Sequence, residues 1–231
     1  MRFFQNLTRG GSREMTVISL RKKIKVMKKP LVIFICGMPG TRKSSTAIRL
    51  ASNLGIKVVI GTDQIRDIVK YYVNDPFLHQ PTHNCWRLIG SRTSDNIIAG
   101  YLRQSILIKQ GVLSALRLAE KRGENMIFEG VHLAPSFYLG SKNVLDTHAS
   151  DLAFFYFLLW TKDENLHSKN IAMKIRLRHG KEAPWSEEKK EEIRAIQEYL
   201  FTKLHLGIHS IESTTPEANV RTIIKILEAS L

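Results

Sequence analysis

The segment 37–45 has the residue types and spacing of a phosphate-binding loop. It reads Gly-Met-Pro-Gly-Thr-Arg-Lys-Ser-Ser and follows the pattern G-x-x-x-x-G-K-[ST], except that Arg42 stands where the second glycine belongs. In this pattern, backbone N–H groups cradle phosphates, the lysine reaches the β- and γ-phosphates, and the hydroxyl of the next residue binds Mg²⁺. We therefore predict an ATP site in which Lys43 is catalytic and Ser44 is a metal ligand. The predicted cofactor-binding set is Gly37, Met38, Pro39, Gly40, Thr41, Arg42, Lys43, Ser44 and Ser45.

Arg42 leaves two interpretations of this loop open. A glycine at this place permits close approach of the backbone to phosphate, so a larger residue risks strain and a degenerate loop that keeps the fold without the nucleotide. Alternatively, an arginine that points outward adds positive charge without blocking the site. Gly40 is present, an unbroken apolar run over 31–36 precedes the loop, and a helical pattern follows it. This strand–loop–helix order favours nucleotide binding.

Two carboxylates follow predicted strands and are candidates for the chemistry beside this loop. Asp63 comes directly after the second predicted strand, and Arg66 lies three residues further, on the same side of the following helix. A carboxylate that accepts a hydroxyl proton, beside an arginine that binds an anion, suits phosphoryl transfer to a small molecule. Glu129 ends the third predicted strand, where it would help to hold Mg²⁺. His132 would orient the substrate or share a proton, and the simpler alternatives are a helix-capping Asp63 and a structural His132.

A set of basic residues surrounds the turn after the helix that follows the fourth predicted strand. In phosphoryl transfer, positive side chains on a mobile lid neutralise the transferred group and exclude water. An ordinary basic helix surface is the alternative, and we predict that Arg176 and Arg178 are the catalytic members. The set comprises Lys169, Lys174, Arg176, Arg178, His179 and Lys181.

The elements that must position these residues alternate between strands and helices. Apolar runs predict strands over 31–36, 56–60, 126–130, 152–159 and 208–211. Helical spacing separates them, and one or two helices are expected over 95–122, where Gly100 and Gly111 are weak points. The stretch 74–93 has no clear period and is expected to pack over the edge of the active site. Alternation of this kind predicts an α/β fold with a parallel sheet and right-handed crossovers.

Composition fits one folded domain with a basic N-terminal segment. The chain has 231 residues, 43% of them hydrophobic, and a net charge of +14. Residues 1–30 hold nine basic residues against one acidic residue, so more than half of the excess charge lies there. We predict a disordered extension over 1–29 and one α/β domain over 30–231 that contains the phosphate-binding loop. The extension could also be a nucleic-acid or membrane-surface arm, a transit peptide, or sequence upstream of a start at Met27.

Localisation and partners are predicted from the same data. Two cysteines are too few for a disulfide framework, and no apolar run reaches the length of a membrane span. The favoured compartment is the cytoplasm, with an organelle as the alternative if the extension is a transit peptide. The expected partners are a nucleotide and a small anionic substrate, and nucleic acid bound through the N-terminal arm is less favoured.

Together with the loop, four further segments resemble the 2-phosphoglycerate kinase family. They occur in the order seen in that family, and the resemblance extends over about residues 31–227. The Thr-Asp-x-Ile-Arg and Glu-Gly-x-His-x-x-Pro blocks are the more specific ones, because very many NTPases share the loop. The segments are 61–66 (Gly-Thr-Asp-Gln-Ile-Arg), 100–105 (Gly-Tyr-Leu-Arg-Gln-Ser), 129–135 (Glu-Gly-Val-His-Leu-Ala-Pro) and 193–200 (Ile-Arg-Ala-Ile-Gln-Glu-Tyr-Leu).

This resemblance implies a P-loop NTPase fold: a five-stranded parallel sheet with helices on both faces and a small helical lid. It also implies transfer of a phosphoryl group from ATP and Mg²⁺ to a small phosphorylated acid, which in the family gives 2,3-bisphosphoglycerate. Asp63 and Arg66 would face the acceptor, Glu129 would support the magnesium shell, and His132 would line the cleft. Asn170 and Lys174 stand where the resemblance predicts arginines, after His167 of the lid helix. The rival functions are a non-catalytic phosphate- or nucleic-acid-binding protein and a polynucleotide or RNA kinase.

Overall fold

The protein is built around one five-stranded parallel sheet. The computed structural model describes residues 16–139, 151–179 and 186–231, with the backbone alone for 177–179. The strand order is β2-β3-β1-β4-β5, and every neighbouring pair is parallel. The strands are β1 Leu31–Cys36, β2 Val58–Gly61, β3 Met126–Gly130, β4 Ala153–Trp160 and β5 His209–Glu212. The five predicted strands and the parallel α/β architecture are therefore confirmed, with bounds shifted by at most two residues.

Helices cover both faces of this sheet. Short 3₁₀ segments occur at Thr82–Leu88, Pro135–Phe137 and Leu204–Leu206. The helices are α1 over 16–26, α2 Lys43–Leu54, α3 Thr62–Val69, the single turn α4 Pro76–His79, α5 Ser94–Arg122, α6 Glu164–His179, α7 Glu187–Phe201 and α8 Pro216–Ser230. None of the helices in the described ranges is long and apolar enough to cross a membrane.

The central strand β1 shows how the sequence separates the two cores. All six of its side chains are buried, because neighbours flank it on both sides and helices cover both faces. Alternate residues reach opposite faces: Phe34 enters the cluster beneath α5 and α7, whereas Ile33 joins the cluster beneath α2 and α8. The Phe34 ring lies 4.9 Å from the ring of Phe154 and 5.2 Å from that of Phe128, between ring centres. This packing fixes the end of β1, from which the loop 37–42 starts.

The N-terminal segment differs from the predicted disorder in its second half. Residues 16–26 form α1, whose Leu20 and Ile24 are buried in the cluster beneath α2 and α8. The guanidinium of Arg21 donates to the carbonyl oxygens of Ser52 and Asn53 at the end of α2. The charge count concealed this helix, although the four-residue spacing of Leu20 and Ile24 is typical of one buried helix face. Residues 1–15 lie outside the described ranges.

Helix α5 is one continuous helix of 29 residues rather than two. Gly100 does not interrupt it, because this glycine marks a close contact: a Cβ there would lie 2.6 Å from the backbone nitrogen of Trp86. Gly111 likewise faces the side chain of Ile65. The stretch predicted to have no clear period contains α4 and the 3₁₀ segment Thr82–Leu88, which packs against α5.

Candidate active site

The loop between β1 and α2 has the backbone shape of an anion cradle. Gly37 and Gly40 have φ of +153° and +86°. A Cβ on Gly37 would lie 2.4 Å from the carbonyl oxygen of Leu159, so a larger residue does not fit there. The first turn of α2 contains no acidic residue and receives no side-chain cap. Its N–H groups and the positive end of its dipole are therefore available to a phosphate.

Arg42 occupies the place of the missing glycine in a left-handed conformation, with φ 60° and ψ 17°. It is the one residue other than glycine with positive φ in the described part of the chain. Its side chain does not point outward, since Nη2 donates to Oδ1 of Asn170 in α6 over 2.6 Å. The loop thus keeps its fold with an arginine in place of the glycine. The guanidinium lies against α6.

Helix α6 lies directly over the loop. The carbonyl oxygen of Pro39 and Nε2 of His167 are 2.6 Å apart, and a Cβ on Gly40 would come within 2.6 Å of the Ile171 side chain. Burial lowers the pKa of His167. The ring is therefore neutral at physiological pH, and its Nε2–H donates to the Pro39 carbonyl.

Ser44 and Glu129, which were predicted separately as magnesium ligands, meet beneath the loop. The Ser44 hydroxyl donates to Oε1 of Glu129 over 2.9 Å, between residues 85 positions apart in sequence. The other carboxylate oxygen, Oε2, is buried and has no hydrogen-bond partner. Oxygen ligands from a hydroxyl and a carboxylate, one of them unsatisfied, fit a hydrated Mg²⁺.

On one side of Lys43 lies a cleft of about 440 Å³, which we call the acceptor cleft. The structure brings Lys43, Asp63 and Arg66 to its wall, together with Lys174 of α6. The segment 79–83, which sequence reasoning placed over the edge of the active site, forms another wall. Three cations against one carboxylate give this cleft a positive character that suits an anionic ligand.

Asp63 is half-exposed and carries a negative charge at neutral pH. Burial raises its pKa, but the surrounding positive charges outweigh burial, so the pKa is lowered overall. The cations that act at neutral pH are Lys43, Arg66 and Lys174. A carboxylate in such a setting can accept a hydrogen bond from a hydroxyl group and orient it.

His132 is fully buried behind Asp63 and does not line the cleft. Its Nδ1 lies 3.0 Å from the Thr62 hydroxyl, and its Nε2 lies 2.9 Å from Oε1 of Gln104. Burial lowers its pKa to about 3, so the 4.0 Å approach to Asp63 is not an ion pair at neutral pH. The role predicted for His132 at the substrate is not what this geometry supports. Both ring nitrogens are engaged, and the ring instead fixes the start of α3.

The tautomer of His132 follows from its neighbours. The side-chain amide nitrogen of Gln104, Nε2, donates to the Gln80 carbonyl over 2.9 Å, so its Oε1 must accept from the ring. His132 therefore carries its proton on Nε2 and accepts from the Thr62 hydroxyl at Nδ1. Thr82 also approaches Nε2, at 3.1 Å. The network joins α5, the turn after β3 and α3, the last of which begins with Thr62 and Asp63.

The predicted lid residues divide into three groups. Lys174 lines the acceptor cleft, whereas Lys169 and Arg176 are exposed and line none of the clefts around the loop. The side chains of Arg178 and His179, and all of Lys181, lie outside the described ranges. The catalytic roles of Arg176 and Arg178 remain predictions, and Lys174 is the lid cation that the fold brings to the site.

A second cleft, of about 560 Å³, lies on the other side of Lys43, and we call it the nucleotide cleft. Ser44, Ser45 and Arg42 line it together with Asn170 and Met173 of α6. Thr215 and Pro216, at the start of α8, form the opposite wall. Lys43 and Lys174 line both clefts, so they stand between the two candidate ligands.

The wall at Thr215 is tied to the loop by a buried polar network that sequence reasoning missed. The Ser213 hydroxyl donates to the Thr41 carbonyl over 2.9 Å. The amide nitrogen of Asn219 donates to Ser213 over 2.9 Å and to the Thr46 hydroxyl over 3.0 Å. No motif links these segments, which are more than 160 residues apart. The buried polar side chains were the available signal, because such groups need hydrogen-bond partners.

Comparison with known proteins agrees with this geometry. The chain is 33% identical over 210 residues to the 2-phosphoglycerate kinase of Pyrococcus furiosus, a match that covers 88% of this chain and 66% of that protein. The enzyme of the same name from Pyrococcus horikoshii is 30% identical over 213 residues, covering 90% and 66%. This chain is related to the 2-phosphoglycerate kinases. It spans slightly less than two thirds of the length of these two relatives.

Other matches place this relationship in context. Mevalonate-3-phosphate 5-kinase of Thermoplasma acidophilum is 27% identical over 149 residues, covering 64% of this chain and 70% of that protein. Shikimate kinase from Acinetobacter baumannii superposes with a TM-score of 0.51 at 12% identity, covering 89% of this chain and 97% of that structure. Deoxyadenosine kinase from M. mycoides gives 0.50 at 14% identity, covering 85% and 99%. The predicted P-loop kinase fold is confirmed. No family profile matches the chain.

Proposed function

We propose that this relative of the 2-phosphoglycerate kinases is an ATP-dependent phosphotransferase. Its acceptor would be a small phosphorylated hydroxy acid, with 2-phosphoglycerate as the first candidate. The observation that carries the proposal is the pair of clefts that share Lys43 and Lys174 as a common wall. One cleft adjoins the phosphate-binding loop, and the other presents Asp63 and Arg66.

The loop residues fit ATP and Mg²⁺. Lys43 and the N–H groups of the loop would hold the phosphates, while Ser44 and the unsatisfied Oε2 of Glu129 would hold the metal with its waters. When bound, Mg²⁺ neutralises charge on the phosphates. Thr215 and Pro216 would lie against the nucleoside, because they line the same cleft at a distance from the acceptor cleft.

In the acceptor cleft, Asp63 would orient the acceptor hydroxyl and receive its proton. Arg66 would bind an anionic group of the acceptor, helped by its Nε, which is buried and has no hydrogen-bond partner in the structure as described. Lys43 and Lys174 would spread the negative charge that develops between the clefts. His132 would fix the position of Thr62 at the start of α3, and with it the position of Asp63.

Relatives support the class of acceptor more firmly than its identity. The names 2-phosphoglycerate kinase and mevalonate-3-phosphate 5-kinase both specify an acceptor that carries a phosphate, a carboxylate and a hydroxyl group. An acceptor of this class brings two anionic groups into a cleft with three cations. We infer a small-molecule kinase in the cytoplasm, and no observation favours a nucleic-acid acceptor.

The test is an ATP-consumption screen over phosphorylated acids, with 2-phosphoglycerate, 3-phosphoglycerate and mevalonate 3-phosphate as the central compounds. We expect saturable turnover with one of them and a loss of about 100-fold or more in kcat/KM for Lys43→Ala. Lys57→Ala is the matched control, because Lys57 is exposed and precedes β2 at the opposite edge of the sheet. Undiminished activity of Lys43→Ala would place the site elsewhere. Nucleotide binding without turnover on any acid would favour the non-catalytic alternative.

A further inference from the structure

We infer that the side chain of Arg42 is a ligand of the nucleotide polyphosphate, with Asn170 of α6 as its positioning partner. This inference rests on the proposed function, since it requires ATP or ADP in the nucleotide cleft. It adds a contact that the loop motif does not contain, because the motif has glycine at this position.

The guanidinium of Arg42 is fixed by a hydrogen bond to Asn170, but no carboxylate among the described residues neutralises its charge. Only its Nη2 has an assigned partner, the Asn170 oxygen at 2.6 Å, while Nε is buried without any partner. Among the described residues, Arg42 forms no ion pair with a carboxylate. A partly buried cation without a counter-ion is costly, and the planar fork of an arginine matches a phosphate group.

Asn170 provides a second unsatisfied donor in the same place. Asn170 as a whole residue is 9% exposed, and its amide nitrogen is buried without a hydrogen-bond partner. Its oxygen must face Arg42, because a guanidinium only donates, so the amide N–H groups remain for another acceptor. Both residues line the nucleotide cleft beside Lys43 and Ser44. Two unsatisfied donors in this cleft are what an oxygen-rich anion would satisfy.

The chemistry of residue 170 suits this arrangement. A carboxylate here would neutralise Arg42 and compete with phosphate, and a cation would repel it. A neutral amide orients the guanidinium while leaving its charge available. The left-handed backbone of Arg42 is unfavourable for a residue with a side chain. Strain retained at a ligand site, with the side chain fixed to a facing helix, indicates a role for that side chain.

The experiment measures dissociation constants of ATP, ADP and AMP by calorimetry in the presence of Mg²⁺ and without any acceptor. Arg42→Gly is the decisive variant, because it removes the guanidinium and restores a residue that favours positive φ. We expect about tenfold weaker binding of ATP and ADP, a much smaller change for AMP, and an unfolding temperature at or above that of the wild type. Arg42→Lys should recover only part of the affinity.

Asn170→Ala tests the positioning role. We expect a smaller loss of ADP affinity, about threefold, and, in combination with Arg42→Gly, a total loss smaller than the product of the two single losses, because Asn170 would act mainly through Arg42. Arg221→Ala is the matched control for net charge: Arg221 is exposed on α8 and lines neither the nucleotide nor the acceptor cleft.

The outcomes separate this inference from the proposed function. If the wild type binds ADP and Arg42→Gly binds it equally well or more tightly, the inference is overturned while the proposed function stands. If the wild type binds none of the three nucleotides, both are overturned. Equal losses for ATP and AMP would also contradict the inference, because the guanidinium would then act elsewhere than on the polyphosphate.

Discussion

Glu129 shows how one unsatisfied atom can define a site. Its Oε1 accepts from Ser44, while Oε2 is buried without a partner. Such an atom costs free energy unless a ligand satisfies it, and the position below the phosphate-binding loop makes a hydrated metal the natural ligand. Both residues were predicted from sequence, Ser44 from the loop motif and Glu129 from its place at the end of β3, and they meet because β1 and β3 are direct neighbours in the sheet.

Glu129→Gln tests this assignment at the scale of the residue. The substitution keeps the shape and leaves an oxygen to accept from Ser44, but it removes the negative charge. We expect the Mg²⁺ concentration needed for half-maximal ADP binding to rise about 10- to 100-fold. Glu228→Gln, at an exposed position on α8, is the control. An unchanged Mg²⁺ requirement would mean that Glu129 is not part of the metal site.

At the scale of elements, the end of β3 and the start of α3 are fitted to each other. Gly130 has φ of +152°, and a Cβ there would lie 1.8 Å from the Thr62 hydroxyl oxygen. Thr62 in turn contacts His132 and precedes Asp63. The glycine therefore allows α3, which carries Asp63, to begin beside β3, which carries Glu129.

Gly130→Ala should displace α3 and with it Asp63. We expect a loss of roughly 2–4 kcal/mol in the free energy of unfolding, since overpacking adds to an unfavourable φ, and a larger relative loss of kcat than of nucleotide affinity. Gly123→Ala is the matched control, because Gly123 also has positive φ but a Cβ there would have no neighbouring atom within 4 Å. That control should lose about 1–2 kcal/mol. Similar losses for the two variants in a urea titration would refute the contact argument.

At the scale of the whole molecule, one fully buried and one partly buried histidine make stability depend on pH. Burial lowers the pKa of His132 to about 3 and that of His83 to about 4, with Lys189 and Arg87 adding to the effect at His83. In the unfolded chain, a histidine binds its proton near pH 6.5. Between pH 6.5 and these lower values, the unfolded state therefore binds more protons than the folded state.

Stability should consequently be constant above about pH 6.5 and fall as the pH is lowered towards 4. Each of the two histidines contributes up to about 1.4 kcal/mol per pH unit over its own range. Chemical unfolding measured at pH 7.5, 6, 5 and 4 tests this. His83→Gln should flatten the profile, and His205→Gln, at an exposed position, should not. A profile that is level down to pH 4 would contradict the buried neutral state.

Local sequence patterns predicted which elements form the site, whereas the contacts between its side chains depend on residues far apart in sequence. The loop, the five strands, Asp63 and Glu129 follow from runs of apolar residues and from motifs, because both are encoded within a few positions. The contact between Arg42 and Asn170 joins residues 128 positions apart, and no period or motif encodes it. His132 looked like a substrate contact in sequence because burial is a property of the packed molecule. Helix α1 was hidden by its own charge.

The shared wall of the two clefts suggests how an inhibitor could be designed. Lys43 and Lys174 face both the nucleotide cleft and the acceptor cleft. On the proposed function, a synthetic compound in which adenosine is joined through a polyphosphate bridge to a carboxylic acid would fill both clefts at once. Because joining the two halves makes the second binding event intramolecular, such a bisubstrate inhibitor should bind more tightly than ATP or the acid alone. The most effective bridge length would then report the separation of the two substrates.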